Sequence, residues 1–385
     1  MNLCDLEMNS SFFCEINHEI FQINFHFCQN NCSAIVNSVF FDCFFNSFFI
    51  NMSSKHSNIP IFLPELACPH RCVFCNQSLI SGQNIIPSYD EVIQIIERNI
   101  QTIPKGNTIQ IAFFGGSFTG IDPKIQEEYL QLVQPYLASG VVSSIRISTR
   151  PDYIDETILD MLIAYGVCDI ELGAQSIDED VLHASGRGHT VDAVYRASKL
   201  ILSKKLRLGL QMMIGLPGDS FEKSLHTAKT IITLGAHSTR IYPTLVIKDT
   251  PLALQYERGS YSPLSLDEAI DWTKALYLLF EKHHVTVLRT GLHPNDDFNA
   301  HKNLLAGPYH PSFKELVLSR IWFDIFEKSL PKEKGKLHVY VSEEQINHAV
   351  GYNSTNKNML KETYGWIKFQ IDTSLQNYEF RYSYN

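Results

Sequence analysis

The chain has 385 residues, 44% of them hydrophobic and 19% charged. That length suits about two domains, and the composition excludes wholesale disorder or a collagen-like repeat. A formal net charge of −9 argues against a protein that wraps nucleic acid by bulk charge alone.

The average conceals a division. Residues 1–51 hold no Lys or Arg, five acidic side chains, five of the nine Cys and 11 of the 24 Phe. This opening segment lacks the positively charged start of a secretory signal. Its most apolar stretch, 34–50, is interrupted by Asn37, Asp42 and Asn46, whereas a membrane span needs about 20 mainly apolar residues. No helical or strand period persists through it. Met52 is followed directly by the hydrophilic SSKHSN. Residues 1–51 are therefore expected to be a non-native or disordered extension, read through from a wrong start codon, with a membrane anchor or a folded segment as alternatives. The body is expected to be cytoplasmic, where thiols stay reduced, so five cysteines here do not announce a disulfide framework.

From residue 58 onward, short apolar runs alternate with amphipathic stretches. The runs read as strands are 59–63, 108–115, 143–148, 167–173, 206–215, 238–247 and 285–289. The stretches read as helices are 89–103, 123–137, 154–165, 191–203, 221–234 and 265–284. Repetition of this unit predicts an α/β fold with a parallel sheet. Six or seven units in one series favour a partial (β/α)6-type TIM barrel over a doubly wound sheet. Chemistry in such barrels sits on loops at the C-terminal ends of the strands. The rhythm stops at about 292. A helix is expected at 313–328, a charged linker at 328–336, then strand, helix, helix and strand at 337–341, 343–349, 355–363 and 365–371. The expected division is a barrel over 52–292, a helical connector over 293–335 and a small α+β module over 336–385.

The strongest motif is ACPHRCVFC at 67–75, on the loop after the first run. Cys68, Cys72 and Cys75 offer three soft thiolates, suited to an iron–sulfur cluster or to zinc. His70 lies two residues from both Cys68 and Cys72, a poor reach for completing a zinc tetrahedron. Cys168, the one later cysteine, lies inside an apolar run and is read as a small core residue. A [4Fe–4S] cluster is usually held by four Cys, so three would leave one iron open. The second run ends in FFGGSFTG (113–120), where Gly115 and Gly116 let a ligand approach the backbone. Later runs end in STRPDYID (148–155), ELGAQS (171–176) and GLPGD (215–219), the last able to approach a ligand by its backbone. GRGHT (186–190) adds Arg187, whose guanidinium suits a carboxylate.

The cysteine spacing, with Phe74 before the third Cys and Gly-Gly one βα unit later, resembles the radical S-adenosylmethionine superfamily. The resemblance implies a [4Fe-4S] cluster on Cys68, Cys72 and Cys75. Its open iron would chelate the methionine moiety of S-adenosylmethionine, and electron transfer would break the C5′–S bond to give a 5′-deoxyadenosyl radical. It further implies that Phe74 packs near the adenine and that Gly115, Gly116, Gln175 and Arg187 position the cosubstrate. Gln211 stands on a strand where related enzymes place an Asp on the ribose, and Ser117 stands where the glycine motif usually has Glu. A flavodoxin- or ferredoxin-type electron donor is implied as a partner.

STRPDYID, ELGAQS with GRGHTVDAV, LQMMIGLPGDS and RIYPTLVIKDTPL (240–252) together resemble the radical domain of the catalytic subunit of Elongator, over about residues 59–293. Residues 59–77 and 307–317 resemble a shorter bacterial group of such proteins. Nothing after 292 is shaped like the acetyltransferase domain of that subunit. Residues 346–371 resemble a KH RNA-binding unit. Gly351-Tyr352-Asn353-Ser354 stands at the backbone-clamping Gly-x-x-Gly loop, and Asn356 and Lys357 follow where phosphate contacts would fall. A small αβ cap without RNA contact is the alternative. The resulting expectation is a radical enzyme that modifies RNA, with tRNA as the expected substrate. A radical enzyme on a small molecule, as in the coproporphyrinogen oxidase branch, and a non-enzymatic cluster-bearing RNA-binding protein are the rivals. His293, His301 and His310 follow no standard metal spacing and are read as solvated or hydrogen-bonding residues.

Overall fold

The computed structural model describes residues 56–63, 72–81, 85–292, 302–331 and 335–384. The opening extension, Cys68, His70, His293, His301, Lys332 and Lys334 lie outside the described residues. Seven strands form the principal sheet: β1 (His56–Leu63), β2 (Thr108–Gly115), β3 (Ser144–Thr149), β4 (Val167–Gln175), β5 (Arg207–Ile214), β6 (Ser238–Pro243) and, after the short β7 (Val246–Ile247), β8 (Thr286–Thr290). Their order is β1-β2-β3-β4-β5-β6-β8, and every pair is parallel. Each strand joins the same side of its predecessor. The sheet therefore curls as a partial TIM barrel, where a doubly wound fold would reverse direction.

The crossover helices are α1 (Gln77–Ser81), α2 (Tyr89–Thr102), α3 (Pro123–Ala138), α4 (Glu156–Ala164), α5 (Glu179–Ala184), α6 (Val191–Ser203), α7 (Phe221–Thr233), α8 (Pro251–Glu257) and α9 (Leu266–Lys282). Their starts are written in the sequence. Ser88 with Glu91 and Ser265 with Glu268 form capping boxes, and Asp122, Asp155, Thr190 and Ser220 cap α3, α4, α6 and α7. Each cap occupies backbone N–H groups that the first helical turn leaves without partners.

Strand alternation divides the residues between two faces. On β4, Ile170, Leu172 and Ala174 enter the core shared with the helices. Asp169 and Glu171 point the other way and bond across the concave face. Glu171 accepts from Arg146 Nη1 at 2.9 Å and from Arg240 Nη2 at 2.9 Å. Asp169 accepts from Arg146 Nη2 at 3.0 Å and from Gln110 at 2.7 Å. Burial pushes the Glu171 carboxyl up, but the hydrogen bonds and charges of Arg240 and Arg146 outweigh it and hold the group below the usual carboxylate range. Gly209 on β5 makes the reach to β6 possible, because a Cβ there would lie 2.9 Å from Glu171 Cγ.

The run at 238–247 is not one strand. Thr244 turns the chain, giving both its N–H (3.0 Å) and its hydroxyl (2.8 Å) to the Ile214 carbonyl. β7 then pairs antiparallel with β9 (Leu304–Ala306). Cys168 is half-buried, with Sγ 3.8 Å from the Gly166 carbonyl, and is not a fully buried core residue.

Helix α10 (Phe313–Ser329) serves two cores. Phe313 and Val317 pack on the barrel, whereas Trp322 and Phe326 found a second cluster. That cluster holds β10 (Gly335–Val341), α11 (Ile346–Val350), α12 (Thr355–Tyr364), β11 (Gly365–Ile371) and β12 (Phe380–Tyr384) in a sheet of order β11-β10-β12. Among the described residues no helix is long and apolar enough to cross a membrane.

Candidate functional site

A cavity of about 1170 Å³ opens at the C-terminal ends of the strands of the principal sheet. The segment after β1 contributes Cys72, Phe74 and Cys75, and the end of β2 contributes Gly115, Gly116 and Ser117. β3 and its following turn contribute Ser148, Thr149 and Arg150, β4 contributes Gly173 and Gln175, and Gln211 comes from β5. Arg187, beyond α5, completes this side. Cys72, Phe74, Cys75, Gly115, Gly116, Gln175, Arg187 and Gln211, each expected from the sequence, thus line one cavity; Cys68 lies outside the described residues.

The cysteine segment is pinned from two directions. Val73 N–H donates to the Ser185 carbonyl at 3.0 Å, and its carbonyl accepts from Leu252 N–H at 2.8 Å. Phe74 packs with Val73 on Val246, Leu252, Ala253 and Tyr261 while lining the cavity. Cys72 is buried and Cys75 half-buried.

Arg187 is 6% exposed. Its Nη2 donates to the Gly173 carbonyl at 2.6 Å and its Nη1 lies 3.4 Å from Cys72 Sγ. The Arg187 carbonyl accepts from Arg150 Nη1 at 2.9 Å, and Arg150 is fixed in turn by Asp152 at 2.8 and 2.9 Å. Gly173 leaves room here, because a Cβ would fall 2.8 Å from Arg187 Nη2, which would have to shift. Gln175 ends β4 with φ of +66°, a left-handed conformation that costs a non-glycine residue energy and clusters at functional sites. Among the described residues, two buried polar atoms of the cavity lining have no partner: Arg187 Nε, a donor, and Gln175 Oε1, an acceptor. Gly115, at φ +114°, brings the chain against Leu63, whose carbonyl accepts from Gly116 N–H at 3.1 Å.

Gln211 donates to Glu171 at 3.0 Å and so joins the charged network beneath the cavity. Beside Arg187, His189 is buried. Burial first, then the Arg187 charge, pushes its imidazole down to about 4.

Other polar residues in the motifs named above serve local structure and do not line the cavity. Ser176 is buried and accepts from Asp178 N–H at 3.2 Å, forming a turn. The GLPGD loop closes on itself instead of lining the cavity: Asp219 accepts from Gly215 N–H at 2.9 Å, and Tyr261 donates to the Gly215 carbonyl at 2.6 Å. Tyr242 accepts from Arg240 Nη1 at 3.4 Å. His310 accepts from Ser312 N–H at 3.0 Å. Asn356 is corrected from a phosphate contact to a buried bracket, because its amide donates to the Ser319 carbonyl at 2.9 Å.

Sequence reasoning missed the wall formed by Lys248, Asp249, Thr250, Pro251, Ala253, Leu254, Glu257 and Leu305. The available signal was the Thr-Pro pair at 250–251, which starts α8 with a Thr cap and Pro in the first turn.

Residues 66–231 match the model of the radical SAM superfamily, and residues 236–322 match that of the Radical_SAM C-terminal domain. The tRNA uridine(34) acetyltransferase of Methanocaldococcus jannaschii is 27% identical over 244 residues, 53% of this chain and 45% of that protein. Elongator complex protein 3 of Saccharomyces cerevisiae is 35% identical over 183 residues, 42% of this chain and 33% of that protein. The chain spans about half the length of the first of the curated relatives it matches. The structure of Methanocaldococcus infernus Elp3 with its N-terminus deleted superposes with a TM-score of 0.56 at 21% identity, covering 71% of this chain and 63% of that one.

Proposed function

The chain belongs to the radical S-adenosylmethionine superfamily and is an enzyme of that type, and on that premise we propose that it uses the strand-end cavity to cleave S-adenosylmethionine and modify an RNA, with tRNA as the substrate. The observation that carries this reading is the meeting, in the lining of one cavity, of Cys72 and Cys75 with a buried donor and a buried acceptor that have no partner among the described residues.

The residues present fit the two groups. Cys72 and Cys75, with Cys68 of the same motif, would hold a [4Fe-4S] cluster, their soft sulfurs being the usual ligands. When bound, the cluster supplies the electron that breaks the sulfonium C5′–S bond. Arg187 Nε would donate to the methionine carboxylate, and Gln175 Oε1 would accept from its ammonium group. A zwitterion thereby satisfies both orphaned atoms, each of which otherwise carries a desolvation cost of about 1–3 kcal/mol. Gly115 and Gly116 leave backbone accessible at the β2 end, and Phe74 offers an apolar edge for the adenine. Gln211 is held by Glu171 for contact with the ribose. Walls of this kind keep water from a reactive species, the protein's usual share of cofactor chemistry.

The RNA substrate is supported by the names of the relatives, a tRNA uridine(34) acetyltransferase and Elongator complex protein 3. Work in the cytoplasm with a flavodoxin- or ferredoxin-type donor belongs to the same reading. So does the division into a barrel over 52–292, a connector over 293–335 and a KH-like module over 336–385, which the two separate apolar clusters support.

The test is anaerobic reconstitution with iron, sulfide and reductant, followed by measurement of 5′-deoxyadenosine with and without tRNA. Cluster-dependent 5′-deoxyadenosine is expected, and its absence above background overturns the enzymatic reading. Bulk tRNA nucleosides from a deletion strain test the substrate. An unchanged nucleoside profile there overturns tRNA and leaves the small-molecule alternative.

A further inference from the structure

The C-terminal sheet has two chemically different faces. Leu337, Val339, Val341 and Ile367 pack inward with Trp322 and Phe326. The alternate residues of β10 and β11 point outward in register, Lys336 beside Trp366 and His338 beside Lys368. Tyr340 lies beside Arg381 of β12. None of these six is acidic, and the remaining outward positions, Gln370 and Ser383, are neutral. Trp366 is 40% exposed, and Lys336, Lys368 and Arg381 are exposed as well. The rings of His338 and Trp366 meet at 5.0 Å, and the Arg381 guanidinium lies 4.6 Å over the Tyr340 ring. Asp372 balances Arg381 at the edge of the sheet, 2.7 Å away; among the described residues neither Lys336 nor Lys368 forms an ion pair.

Exposed aromatic rings among cations, with no carboxylate between them, are what single-stranded nucleic acid requires. Bases stack on the rings, and phosphates pair with the cations. The other RNA-binding element expected from the sequence is partly committed. In the Gly351–Ser354 turn, Tyr352 N–H donates to Ser319 Oγ at 2.8 Å and its ring meets the His310 ring at 5.2 Å. We infer that the outer face of β11-β10-β12 binds a single-stranded stretch of the RNA, with a base on the Trp366–His338 pair and phosphates on Lys336 and Lys368. The inference rests on the RNA reading above and adds a site to it.

The experiment measures binding of a short fluorescent single-stranded RNA to the full chain and to Trp366→Ala, Trp366→Phe and Lys368→Ala. Trp366→Ala is expected to weaken binding about 10-fold, as the loss of one stacked base does, and Trp366→Phe to retain most of it. Lys368→Ala is expected to lower the slope of log affinity against log salt by about 0.7, the value for one phosphate contact on a single strand. Melting temperatures report folding; if Trp366→Ala does not fold, the Phe variant and the salt slope decide. Wild-type binding with no change in any variant overturns the inference and leaves the RNA reading standing. Absence of binding by the wild-type chain to single-stranded RNA and to folded tRNA overturns both.

Discussion

Arg187 Nη1 stands 3.4 Å from Cys72 Sγ. The same guanidinium is anchored by Nη2 on the Gly173 carbonyl, so one planar group links the cysteine segment to the end of β4. A lysine would keep the charge and lose the fork. Arg187→Lys is expected to lower S-adenosylmethionine cleavage about 10- to 100-fold, the equivalent of one charge-assisted hydrogen bond. The initial rate of 5′-deoxyadenosine formation checks this, and an unchanged rate removes Arg187 from the site.

Gly173 leaves room for that guanidinium. A Cβ at this position would lie 2.8 Å from Arg187 Nη2 and 3.0 Å from Gln175 Nε2. Gly173→Ala is expected to destabilise the fold by about 1–3 kcal/mol, the usual cost of overpacking, and to lower cleavage as Arg187→Lys does. Denaturant unfolding and the cleavage assay read the two effects separately. Retention of both stability and rate would contradict the crowding.

The thiols allow a direct assay. Replacement of Cys68, Cys72 or Cys75 by Ser is expected to bring iron per chain from about four toward zero after anaerobic reconstitution. Cys168→Ser, distant in sequence from the motif, is expected to leave iron content unchanged. Elemental analysis checks both, and full iron in the Cys72 variant would rule out the ligand set.

Acid should weaken the fold through His189. Its imidazole titrates near 4 in the folded chain, against an ordinary value of 6.5. Between those values the unfolded chain binds a proton that the folded one refuses, so stability falls as pH drops from 6.5 to 4 and the loss is complete below 4. The difference corresponds to about 3 kcal/mol. Glu171, held below the carboxylate range, adds a loss of the same sign as pH falls through its folded value. His189→Gln should remove the His part of the slope. Unfolding curves at pH 7 and pH 4.5 for both chains provide the measurement, and parallel slopes would refute the assignment.

Glu171 carries a structural charge. Glu171→Gln removes the negative charge shared by Arg146 and Arg240 and is expected to cost about 3–5 kcal/mol, as removal of one partner of a buried ion pair does. Glu171→Gln with Arg240→Met should recover most of that. Urea unfolding at neutral pH distinguishes the two, and a single variant as stable as the wild type would mean that the pair carries no stability.

Where the sequence was legible, a period reached the surface of the chain. β2 and α6 coincide with the runs read at 108–115 and 191–203, because apolar alternation and a Thr cap mark their limits. Most of the cavity residues were legible because they stand at or just after a strand end; Arg187, beyond α5, was legible from the GRGHT motif. The wall at 248–257 was not, because β7 brings it into place by pairing with β9, a contact more than fifty residues away in the chain. Pro243 and Thr244 do not interrupt the apolar pattern, so the turn that frees β7 was invisible. Arg146, Glu171 and Arg240 were passed over for a related reason: each is the polar member of an alternating strand, and alternation alone does not say that the polar face meets itself across a curled sheet. β12 escaped because its Phe-Arg-Tyr-Ser-Tyr run is aromatic and polar rather than aliphatic.

Val73 lies between two partners, the carbonyl of Ser185 and the amide of Leu252. The second belongs to α8, part of the cavity wall. A shift of the cysteine segment therefore strains both bonds at once, and the seating of the thiols and the seating of the wall become one mechanical variable. A displacement of the thiols at one end of this linkage would therefore be felt at the rim on the other.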